Sequence, residues 1–291
     1  MSRKVKSREP KVKPKRTHPL EKAWYILKPF ILYMVTKTAA LLLLSMLAVS
    51  LPFAAATEWI SLHSNQVNAV LNAIASIIGV AFMLNDFLKE VEITGEIDID
   101  SSVIKRLLAW IKNSFKVDKD KAIPLAIAAS LGITSSLAFN ILAGLIQIQS
   151  PKYDKVEAIQ YSVPIWLGLI LYGIISPFVE EIVFRGLTYN RMRRFLGIPL
   201  SVITTALLFA IFHGNLAQFL YALCMGVLLA LCYEWVKSFA APLLFHVTAN
   251  VVVFVISSLY GDSTMLISAP FLAVFMLLTV VLTVGLYKSC K

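Results

Sequence analysis

Three short stretches of the sequence set polar side chains one helical turn apart inside apolar surroundings. In "PFVEEIVFRGLTYNRMRR", residues 177–194, Glu180 and Glu181 are adjacent and Arg185 follows Glu181 by four positions. On a helix, Glu181 and Arg185 share a face and can pair. Glu180 is rotated by about 100° from its neighbour and can point into a cavity. Pro177, one turn earlier, can kink the helix and free a backbone carbonyl. "FAIFHGN" spaces Phe209 and His213 by four, and "FHVTAN" does the same for His246 and Asn250. A single histidine in a membrane span is ordinarily a packing residue. Two histidines, an asparagine and a glutamate pair on three separate helices are harder to dismiss. A carboxylate in an apolar cavity can act as a general base on water. Glu180, His213 and His246 are also a valid ligand set for catalytic zinc, although no His-Glu-x-x-His helix is present.

These residues need elements to carry them, and the composition says which kind. The chain has 291 residues, 58% of them hydrophobic and 15% charged, with a mean hydropathy of +0.76. A soluble domain carries about 25% charged residues. The expected fold is therefore an all-α polytopic integral membrane protein. About eight transmembrane helices are expected, over 30–55, 66–84, 122–147, 161–184, 198–214, 216–236, 239–258 and 266–287. A charge at the centre of a bilayer costs at least ~2.5–3.5 kcal/mol, so Glu180, Glu181 and Arg185 are expected to be where they are for a reason.

The net charge of +10 is unevenly spread: ten of the 27 Lys and Arg fall in the first 28 residues. Segment 1–28 reads as a basic, disordered cytoplasmic tail suited to an anionic lipid surface, with no nucleic acid as partner. Under the positive-inside rule both termini are cytoplasmic, because only Lys152 and Lys155 fall in the external links. Lys37, inside the first span, is expected to snorkel to the inner surface. Segment 29–148 holds the N-terminal spans. Its loop 85–121 contains an interfacial helix with Val103, Leu107, Ile111 and Phe115 on its apolar side. "KEVEITGEIDID", just before it, suits a hairpin or loop. Segment 259–291 is the last span and the C-terminus. Arg191, Arg193, Arg194 and the pair Glu234 and Trp235 read as topology signals and interface anchors. Cys224, Cys232 and Cys290 show no disulfide or zinc spacing.

Glu-Glu-x-x-x-Arg within "EEIVFRG", then Phe-x-x-x-His, then His-x-x-x-Asn, in that order over 160–258, resembles the CPBP family. These are the intramembrane CAAX-processing and bacteriocin-processing endopeptidases, including the type II CAAX prenyl endopeptidases. The resemblance implies a protease whose catalytic core is 160–258. It implies that Glu180 is the general base on a water, that His213 helps position or deprotonate that water, and that His246 and Asn250 stabilise the oxyanion. It gives Glu181, Arg185 and Phe209 supporting places. It implies no cofactor, with zinc on Glu180, His213 and His246 as the alternative. The expected substrate is a lipidated or membrane-associated peptide, of the prenylated CAAX type or of the leader, pheromone or bacteriocin type. The expected location is the cell membrane in a prokaryote or the endoplasmic reticulum in a eukaryote. A non-catalytic scaffold of the same fold and a proton-coupled transporter are the rival readings. One tension accompanies the expected spans: Glu180 falls at the cytoplasmic end of its helix, whereas His213 falls more than about 20 Å deeper.

Overall fold

A computed structural model describes residues 18–50, 54–94, 102–116, 119–146, 151–260 and 268–291. These residues are helical, with no strand among them. Twelve helices are numbered here: α1 Pro19–Val49, α2 Ala54–Leu62, α3 Ser64–Ala81, α4 Leu84–Thr94, α5 Val103–Ser114, α6 Lys119–Ile146, α7 Pro151–Tyr161, α8 Ile165–Arg193, α9 Ile198–Phe212, α10 Leu216–Val236, α11 Ala240–Tyr260 and α12 Ala269–Ser289. Six of them (α1, α6, α8, α10, α11 and α12) are long and apolar enough to cross a bilayer. The pair α3 and α4 adds a seventh if it is one span bent by 56°. The expected span 198–214 corresponds to α9, whose 15 residues reach about 22 Å, short of the ~30 Å hydrocarbon layer.

Helix starts and ends depart from the expectation for local reasons. α1 begins at Pro19 because His18 and Glu21 close a capping box around its first turn. Residues 19–28 are therefore helix rather than disordered tail, and 1–17 lie outside the described residues. The stretch expected as a hairpin begins as helix α4, up to Thr94; residues 95–101 lie outside the described residues.

The largest departure is α8. It runs to Arg193, not to 184, so Glu180 is fifteen residues after its start and thirteen before its end. From residue 179 to 192 every position is buried. Its polar end is matched by residues distant in sequence. The Arg191 guanidinium donates to Glu90 at 2.9 Å and to Asp86 at 3.2 Å, and stacks 4.7 Å from the Tyr25 ring. Arg194 also pairs with Glu90. Glu234, expected as an interface anchor, is buried and accepts from Tyr189 at 2.8 Å, Arg193 at 3.3 Å and Lys237 at 2.8 Å. Gly186 leaves room for the Phe87 ring of α4 against α8, since a Cβ there would be 2.3 Å from that ring. α5 also packs differently from its expected pattern. Arg106, Trp110 and Ser114 face the protein, while Ile104, Leu108, Ile111 and Phe115 remain exposed, as suits a helix lying on lipid.

Candidate active site

The length of α8 removes the depth conflict. Thirteen residues separate Glu180 from Arg193, about 20 Å, and fifteen separate Ile198 from His213, about 22 Å. The middle of α8 and the end of α9 therefore meet at one level. α10 ends beside Tyr189 and Arg193, and six residues into α11 the chain returns to that level at His246.

The carboxylates have distinct partners. Arg185 Nη1 donates to Glu181 Oε1 at 2.9 Å, and both side chains are fully buried. Arg185 Nη2 donates to the Gly226 carbonyl of α10 at 3.2 Å, which fixes the guanidinium between two helices. His246 Nδ1 lies 2.8 Å from the same Glu181 Oε1. A carboxylate only accepts, so this Nδ1 carries the proton and Nε2 is left free. That Nε2 faces Glu180 Oε2 at 3.7 Å, while Ser176 Oγ donates to Glu180 Oε1 at 2.6 Å. Glu180 thus has one oxygen held from its own helix and the other turned toward His246. A water beside the line joining Oε2 and Nε2 can touch both.

His213 Nδ1 is 2.8 Å from the Phe209 carbonyl, so its Nε2 is also free. Glu180, His246 and Lys37 all lie within electrostatic reach of His213. Phe209 joins the parts. Its ring is 4.9 Å from the His213 ring, 5.7 Å from the His246 ring and 5.0 Å from Phe184, with the Arg185 guanidinium 4.8 Å over its face.

Asn250 has a partner that the sequence explains. Residues 169–175 of α8 are wound as a π-helix, in which an N–H meets the carbonyl five residues back; Ser176 N bonds to the Leu171 carbonyl in this way. The next carbonyl, of Tyr172, would be met by the N–H of residue 177, which is proline and has none. Asn250 Nδ2 donates to it instead, at 3.0 Å. A second π-helical stretch, 182–189, follows the glutamates. Such stretches recur at functional sites in helices, and no periodic pattern in the sequence announces them.

Glu180, Glu181, Arg185, Phe209, His213 and His246 thus come together, and Asn250 follows His246 by one turn of α11 with its amide on Tyr172. Sequence reasoning missed Ser176 and the closeness of Lys37 to the site. The Lys37 ammonium lies 5.3 Å over the Phe212 ring and 5.8 Å over the Tyr33 ring, within reach of the Glu180 charge. Among the described residues no three His, Cys, Asp or Glu side chains are gathered in a way that can hold a metal ion. His246 Nδ1 on Glu181 and His213 Nδ1 on the Phe209 carbonyl leave both Nε2 atoms open, an arrangement that metal-ligating histidines share.

The fold and the buried polar cluster are those of an integral membrane protein built around an intramembrane polar site. Residues 162–252 match the family model for type II CAAX prenyl endopeptidase Rce1-like proteins. The chain is 27% identical over 159 residues to the membrane-embedded CAAX protease MroQ of Staphylococcus aureus (strain USA300). That alignment covers 48% of this chain and 62% of the relative's length. The chain is 23% identical over 190 residues to YdiL, a candidate membrane peptidase of Bacillus subtilis (strain 168), covering 65% of this chain and 70% of the relative. No solved structure matches. These findings bear out the resemblance to the CPBP family, and the matched segment contains all three motifs.

Proposed function

We propose that the protein is an intramembrane endopeptidase that hydrolyses a peptide bond of a membrane-associated substrate with water activated by Glu180. The observation that carries this reading is the two-sided hold on Glu180: Ser176 on one oxygen, His246 facing the other. Glu180 takes a proton from water as the oxygen attacks the scissile carbonyl. It returns that proton to the leaving amine when the tetrahedral intermediate collapses. The Arg185–Glu181–His246 chain orients the His246 ring, in the way a buried carboxylate orients a catalytic histidine. Because the Nδ1–H of each histidine is already committed, each Nε2 accepts while its ring is neutral and donates only after taking up a proton. Asn250, with one amide N–H on Tyr172 and a second to spare, is the standing donor for the oxyanion. The substrate class is a lipidated peptide of the CAAX type or a membrane-bound leader, pheromone or bacteriocin precursor.

The reading is tested with purified protein in nanodiscs and a panel of lipidated peptides. Wild type is expected to cut at least one, Glu180→Gln none, and a zinc chelator is expected to leave the wild-type rate unchanged. Loss of activity on chelation, restored by added zinc, favours the metal mechanism. Equal cleavage by Glu180→Gln removes Glu180 as the base.

A further inference from the structure

Lys37 belongs to α1, outside the segment 162–252 that carries the family match. It lies eighteen residues after Pro19 and twelve before Val49, about 27 Å and 18 Å from the helix ends. Lys37 is therefore nearer the middle of α1 than either end. A cation so deep in a span is costly and ordinarily has an anionic partner. Among the described residues Lys37 makes no ion pair and no hydrogen bond, and its ammonium rests only on the faces of Tyr33 and Phe212. Glu180 is within electrostatic reach but is not its partner, since the carboxylate oxygens are turned to Ser176 and His246.

The rings place the ammonium in the wall of the site. Phe212 is 5.6 Å from the His213 ring and 5.6 Å from Phe184, and Tyr33 is 5.8 Å from Phe212. The aromatic faces exclude water and steady the charge without neutralising it. We propose that Lys37 is the anion-binding residue of the site, taking a carboxylate of the peptide substrate beside the bond that is cut. One phenyl ring separates the ammonium from His213, so the carboxylate lies within about three extended residues of the scissile bond. A free C-terminus and an acidic side chain both supply this chemistry. The inference rests on the endopeptidase reading for the identity of the ligand as a peptide.

The test uses wild-type protein, Lys37→Gln and Lys37→Arg in nanodiscs, with fluorescent farnesylated pentapeptides. One pair ends in a free acid or a carboxamide; a second pair, both amidated, carries Glu or Gln near its end. Binding and cleavage are read on the same samples. Wild type is expected to bind the acid member of at least one pair about tenfold more tightly than its neutral twin. That ratio is expected to fall to about one in Lys37→Gln and to persist in Lys37→Arg. A wild type without preference, or a preference that survives in Lys37→Gln, overturns the proposal. Should Lys37→Gln not fold, reductive methylation of Lys37 in wild type serves instead: protection by the acid peptide alone is expected, and equal labelling with both overturns it. Preference without cleavage sinks the endopeptidase reading and leaves the Lys37 site standing; cleavage without preference does the reverse.

Discussion

Glu180 and Glu181 are neighbours in sequence, yet their surroundings give them different work. Glu181 has the Arg185 guanidinium and the His246 Nδ1–H as partners in a fully buried setting, so its task is to hold. Glu180 has a hydroxyl on one oxygen and an open side toward an imidazole, so it is free to take a proton. Ser176→Ala removes the hydrogen bond that holds Glu180 from its own helix. The expected result is a fall in kcat of roughly tenfold, about 1.4 kcal/mol of barrier, with KM held within about twofold. Steady-state kinetics on a cleaved peptide reads this directly. Asn250→Ala is expected to lower kcat by about 10²–10³, the typical cost of losing an oxyanion donor. An effect confined to KM contradicts that role. The motif spacings made the glutamates, histidines and asparagine legible in the sequence, because one-turn intervals are periodic. Ser176 and Lys37 were not legible, because nothing local distinguishes them from any serine or lysine in a span.

At the scale of elements, α8 carries the account, and its true length was hidden. Residues 185–194 contain four arginines and read as a loop, but their partners Asp86, Glu90 and Glu234 lie 41 to 105 positions away. Long-range ion pairing leaves no local trace, so an expected end at 184 became an observed end at Arg193. The π-wound stretch 169–175 was equally silent, although Pro177 hinted at an open carbonyl. That link gives a prediction for α8 and α11 together. Asn250→Ala leaves the Tyr172 carbonyl without a donor and is expected to destabilise the fold by about 1–3 kcal/mol. On a Pro177→Ala background the restored backbone N–H meets that carbonyl. The same Asn250 substitution is then expected to cost less stability while still costing activity. Thermal unfolding in detergent, measured across the four variants, checks it; an undiminished loss in the double variant contradicts the π-helical explanation.

For the whole molecule, composition made the class plain: apolar content this high with so few charges can be covered only by lipid. The number of spans was less legible, because hydropathy cannot separate a short helix such as α9 or a bent pair such as α3 and α4 from a full crossing. The structure gathers Arg191, Arg193, Arg194, Asp86, Glu90, Glu234 and Lys237 at one end, and Lys152 reaches Gly214 at another turn of the chain. The positive-inside rule assigns the first end to the cytoplasm. Lys28→Cys beside Asp86 and Lys152→Cys, each in an otherwise cysteine-free protein, are expected to label from opposite sides of sealed vesicles; labelling of both from one side contradicts this topology. The central claim is that Glu180 makes this a protease. Its most direct measurement compares peptide termini in membranes from cells carrying wild type, Glu180→Gln or no protein. The account predicts termini found only with wild type, at equal protein levels, and these also name the substrate. Termini shared by wild type and Glu180→Gln contradict it and turn the site over to a scaffold role.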